Sequence, residues 1–89
     1  MSPITRIGES AFEGCTKLEK VDMPDTITEI GDRAFYGCAS LKVIEIPNSV
    51  TKIGKDVFYG CTSLEKVYAP KDLDLSDAGI PDSAEIIRR

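Results

Sequence analysis

Laid against itself at an offset of 23 residues, the chain reads as three units without a gap: MSPITRIGESAFEGCTKLEKVDM (1–23), PDTITEIGDRAFYGCASLKVIEI (24–46) and PNSVTKIGKDVFYGCTSLEKVYA (47–69). Seven positions are the same residue in all three: Thr5/Thr28/Thr51, Ile7/Ile30/Ile53, Gly8/Gly31/Gly54, Phe12/Phe35/Phe58, Gly14/Gly37/Gly60, Cys15/Cys38/Cys61 and Leu18/Leu41/Leu64. A unit this short cannot enclose a core alone. Equal units in tandem cover one another by stacking, so the fold grows along one axis.

The exchanged positions are conservative: Ile4/Ile27/Val50, Ala11/Ala34/Val57, Val21/Ile44/Val67 and Met23/Ile46/Ala69. Each unit thus offers about eight apolar side chains, at roughly 1.5–3 kcal/mol for each large one fully buried, and that gain is realised only beneath a neighbouring unit. Within the unit, Val43 to Ile46 alternate faces as a strand does, and Pro47 removes a backbone donor and ends it. Val50, Thr51 and Ile53 alternate again, which predicts a second extended segment or turn. Ala34 and Cys38 stand four apart, as on one helix face, and Gly37 stops the run, so a single turn of α- or 3₁₀-helix is expected there.

The order Leu41, Ile44, Ile46, Pro47, Ser49, Val50, Thr51, Ile53, Gly54, Phe58, Cys61 resembles the BspA-like leucine-rich repeat, over residues 3 to 70. The resemblance implies a repeat solenoid: short parallel β-strands on a concave face, short helical turns opposite, a right-handed winding, and protein–protein interaction as the function. It also implies a secreted or cell-surface setting and an adhesin-like role for a small protein or a fragment of a larger one. A self-associating structural protein with no separate ligand is the alternative.

Composition closes several other routes. Eleven basic and fifteen acidic side chains leave a net charge of −4, without the basic stripe that nucleic acid requires. No apolar run reaches the roughly 18–20 residues of a membrane span, and the first residues lack a signal-peptide core. Histidine is absent, which removes Ser-His and Cys-His dyads and histidine metal sites. No catalytic residue, cofactor or metal is therefore expected, nor is an enzyme.

The three cysteines are expected as buried structural thiols stacked unit on unit, with a disulfide or a Cys₃ zinc site as the alternatives. In the tail, Asp74, Gly79 and Glu85 partly fit a calcium loop, yet Ala78 stands where an oxygen ligand belongs. Candidate partner-binding residues face outward from the strands in rows. Glu19/Lys42/Glu65 alternates in charge and is explained by cross-strand ion pairs. The rows Lys20/Val43/Lys66 and Asp22/Glu45/Tyr68 include an exposed Val43 and Tyr68 that solubility does not require. Tyr36 and Tyr59, one unit apart, form either a contact patch or the rim of a thin core.

The chain divides as 1–70, three repeats (1–23, 24–46 and 47–69), and 71–89, a C-terminal capping segment read as an aborted fourth repeat, whose Ile80-to-Ile86 stretch echoes Ile46 to Ile53 in its first four positions. Before Ile4 no comparable cap is evident, and a homo-oligomer through that end is an expectation.

Overall fold

The structure, a computed structural model, describes residues 4–89. Its seven strands are β1 (Arg6–Ile7), β2 (Lys20–Val21), β3 (Glu29–Ile30), β4 (Val43–Glu45), β5 (Lys52–Ile53), β6 (Lys66–Ala69) and β7 (Glu85–Arg88). They form two parallel sheets, β1-β3-β5 and β2-β4-β6-β7. The 23-residue period sets the register: Lys20 lies opposite Val43 and Val43 opposite Lys66, while Glu29 lies opposite Lys52. The strands are short because each must turn after one stretch to close a coil. The extended segment at Thr51–Ile53 belongs to the three-stranded sheet, which extends beyond its strands through Thr51 N–H to Thr28 O (3.0 Å) and Gly54 N–H to Ile30 O (2.8 Å).

A third wall replaces the expected helical turn. Among the described residues there is no helix, and hence none long and apolar enough to cross a membrane. Over residues 32–37 the N–H groups alternate in direction. Ala34 and Tyr36 donate locally to Gly31 O and Arg33 O, whereas Arg33, Phe35 and Gly37 donate to Lys55 O, Val57 O and Tyr59 O of the next coil, at 2.9, 3.0 and 2.8 Å. A helix uses every amide along its own axis, so it cannot also bond sideways. The reversal sits at Arg33 (φ 55°) and Gly37 (φ 73°), whose left-handed backbone turns the amides outward. The same pair recurs at Ser10 and Gly14, and at Asp56 and Gly60.

Between these walls lies one core. Phe12, Phe35 and Phe58 stack with centroids 5.3 and 5.8 Å apart and rings parallel within 2°. Around them Ile27, Ile30, Leu41, Ile44, Val50, Val57, Leu64 and Val67 are fully buried. No polar or charged side chain is buried among the described residues, so the side chains of the interior are held by apolar contact.

The tail continues the winding in a shorter coil. Leu73, Leu75 and Ala78 are buried against the preceding coil, Asp77 O and Ala78 O accept Asp56 N–H and Phe58 N–H, and β7 then pairs with β6. Ile86 stands opposite Val67, at the place that Ile44 holds on the other side of β6. This last coil is shorter than the one before it: Lys66 pairs with Glu85, nineteen residues on, whereas Val43 pairs with Lys66, twenty-three residues on.

Candidate functional site

The outward residues of the four-stranded sheet assemble as one surface. Alternation in β4 sends Ile44 into the core and leaves Val43 and Glu45 exposed; in β6, Val67 and Ala69 go inward, leaving Lys66 exposed and Tyr68 half-buried. Register then fixes the neighbours. Val43 lies between Lys20 and Lys66, Glu45 lies opposite Tyr68, and Tyr68 lies opposite Ile87. Asp22 is exposed just past the end of β2, outside the paired ladder. The row Glu19/Lys42/Glu65 forms no ion pair: the ion pairs among the described residues are Arg6–Glu29, Arg33–Glu9, Arg33–Glu13 and Arg89–Glu45. Its alternation is that of three solvated side chains.

Tyr36 and Tyr59 belong to the turn wall, not to this sheet. Their rings stack at 5.4 Å with 22° between planes, Tyr36 half-buried and Tyr59 55% exposed. The strand-face residues Lys20, Asp22, Val43, Glu45, Lys66 and Tyr68 thus share one surface, and the two tyrosines mark another.

Sequence reasoning missed Arg89. Its amide donates to Ala69 O (2.9 Å), its guanidinium reaches Glu45 Oε1 (3.1 Å), and its Cζ lies 4.6 Å from the Tyr68 ring centroid. Arg88 turns the other way and donates to Pro70 O and Leu73 O, tying the tail to the bend after β6. The detectable signal was the tail's apolar pair Ile86-Ile87, which marks a strand, but only the shortened coil places Arg89 beside Tyr68.

Cys38 and Cys61 are buried, and each thiol lies 3.2 Å from the carbonyl of a phenylalanine one coil back, Phe12 O and Phe35 O. Burial pushes the Cys61 thiol up to about 11 from 9.0 and raises that of Cys38. Cys15 departs from the expectation of three buried thiols: it is exposed, because no described coil covers the first. All three are free thiols, and among the described residues no group of three His, Cys, Asp or Glu gathers as a metal site. The Asp74 carboxylate accepts Ser76 N–H (2.9 Å), which holds it below its ordinary range, while Ala78 is buried and Glu85 lies in β7. A carboxylate engaged in a tight turn, a core alanine and a strand glutamate do not enclose a calcium ion.

The residues of this surface are fixed by three backbone ladders. Comparison with known proteins agrees with this architecture. The family described as "BspA type Leucine rich repeat region (6 copies)" matches residues 1–84. A leucine-rich repeat protein from Bacteroides ovatus is 42% identical with a TM-score of 0.89, the match covering 97% of this chain and 22% of that one. A leucine-rich repeat protein of T. pallidum is 28% identical with a TM-score of 0.64, covering 97% of this chain and 46% of that one. The chain therefore spans less than half the length of either. No curated protein matches it.

Proposed function

The chain belongs to the BspA-type leucine-rich repeat family, and from that premise we propose that it is a protein-interaction module whose four-stranded sheet is the recognition face, in an adhesin-like protein secreted or displayed at a cell surface. The observation that carries the reading is the exposure of Val43 near the half-buried Tyr68, with Ile87 opposite Tyr68, on a face whose other side chains are charged. Interfaces are enriched in aromatic residues at their centre, ringed by polar ones, and the lysines and carboxylates around Val43 and Tyr68 supply such a ring.

Capture experiments with defined variants test this. The unaltered chain, Val43→Asp, Tyr68→Ala and Lys52→Glu, a control on the three-stranded sheet, are each offered the same mixture of extracellular host proteins. Partners retained by the unaltered chain and by Lys52→Glu but lost with Val43→Asp and Tyr68→Ala are the expected result. Equal retention by all four contradicts the strand face as the recognition surface. For the compartment, labelling of intact source cells with a membrane-impermeant reagent is expected to tag the protein, and labelling only after lysis contradicts surface display.

A further inference from the structure

The Glu45 carboxylate and the Tyr68 ring stand opposite each other across β4 and β6 and together make a seat for a cation, with a charge on one side and an aromatic face on the other. The group in that seat is the chain's own Arg89, 3.1 Å from Glu45 Oε1 and with Cζ 4.6 Å from the Tyr68 ring centroid. Three observations separate the occupant from the scaffold. The backbone of the last residues is held independently, by the β6–β7 ladder, by Arg89 N–H to Ala69 O and by the two carbonyl contacts of Arg88. The Arg89 side chain therefore leaves without releasing the strand. The Arg89 and Glu45 side chains are 53% and 63% exposed, so solvent screens their attraction and the contact is easily exchanged. Val43, on the same face two residues before Glu45, offers apolar surface next to the seat.

We propose that the Glu45–Tyr68 seat is a subsite for an arginine side chain of a partner protein, kept filled in cis by Arg89 until the partner's arginine takes its place. The choice of arginine follows from the geometry. A planar guanidinium lies flat on a tyrosine ring while donating to a carboxylate at its edge, and the compact ammonium of lysine lacks that planar fork. The inference rests on the strand-face reading and adds to it the chemistry of the partner.

The test is a titration of the full chain and of Arg89→Ala with N-acetyl-arginine methylamide, followed by nuclear magnetic resonance at the Tyr68 ring and the Glu45 side chain. The neutral isostere N-acetyl-citrulline methylamide is the control, and Arg89→Gln is a second variant with the seat vacated. Saturable shifts are expected in both variants, with apparent affinity about fivefold or more above the unaltered chain, where Arg89 competes. They are expected to vanish with citrulline and in the double variant Arg89→Ala/Glu45→Gln. Equal affinity with and without Arg89, equal response to citrulline, or shifts retained without the Glu45 charge would each overturn the assignment. Should the probe fail to bind while Val43→Asp still abolishes partner capture, the subsite alone is wrong. Should Val43→Asp leave capture unchanged, the strand-face reading fails and the subsite falls with it.

Discussion

Gly8, Gly31 and Gly54 occupy one position in successive coils, and the structure gives them different duties. A Cβ on Gly31 would stand 2.7 Å from Glu9 N and 2.9 Å from Gly8 C, whereas one on Gly8 would meet nothing within 4 Å. The repeat thus uses glycine for close approach of backbone to backbone, and the need arises only where a preceding coil is present. Gly31→Ala is expected to lower stability by about 1–3 kcal/mol, as overpacking does, and Gly8→Ala to leave it nearly unchanged, both read from urea denaturation midpoints. Equal effects would show that the coils do not touch here. The cysteines divide in the same way. Cys15 is expected to react with a thiol reagent in the native state while Cys38 and Cys61 are protected until unfolding, which mass spectrometry of the labelled chain reports. The raised Cys61 value also carries a pH dependence. The unfolded thiol ionises near its ordinary 9.0 and the folded one near 11, so the unfolded chain binds fewer protons between them and stability falls as pH rises through that window. Below pH 9 this contribution is fully present. Cys61→Ala is expected to flatten the decline between pH 9 and 11 in thermal melts.

The strands were legible as elements because alternation at Val43–Ile46 and again at Val50–Ile53 reports a face buried on one side only. The turn wall was not. Ala34 and Cys38 have helical spacing and are indeed both buried, but burial at i and i+4 arises equally from a turn whose alternate amides bond to the next coil. What separates the two is the left-handed backbone at Arg33, a non-glycine residue whose type carries no signal for it. The register of the tail is not legible in its echo of Ile46-Pro-Asn-Ser at residues 80–83, because β7 is placed by a coil shorter than twenty-three residues. At this scale Arg88 is the informative residue, since its guanidinium bonds Pro70 O and Leu73 O and so fixes the returning strand to the bend it leaves. Arg88→Ala is expected to cost about 1 kcal/mol, below the roughly 1.5–3 kcal/mol of bonds to a charged group because the residue is exposed. Faster amide hydrogen exchange in β7 than in β4 would accompany the loss; unchanged exchange in β7 would mean the strand is held by its ladder alone.

Across the whole molecule, three walls of bonds between coils leave the backbone little freedom, and variation is confined to side chains that point out. On the four-stranded sheet the rows Lys20/Val43/Lys66 and Asp22/Glu45/Tyr68 could be grouped from the period alone, because a fixed repeat maps sequence distance directly onto neighbouring strands. Arg89 could not, since its place depends on how far the last coil is shortened. Four strands at about 4.8 Å spacing give a face of a few hundred Å², below the roughly 800 Å² per partner of a stable interface. This chain matches 22% of the length of the B. ovatus relative. The central claim, that the four-stranded sheet meets the partner, is tested most directly by photo-crosslinking. A benzophenone side chain is placed at Val43 in one preparation and at Lys52, exposed on the three-stranded sheet, in another. Adducts with a captured partner at Val43 and none at Lys52 are the predicted result; adducts at Lys52 with none at Val43 would contradict it.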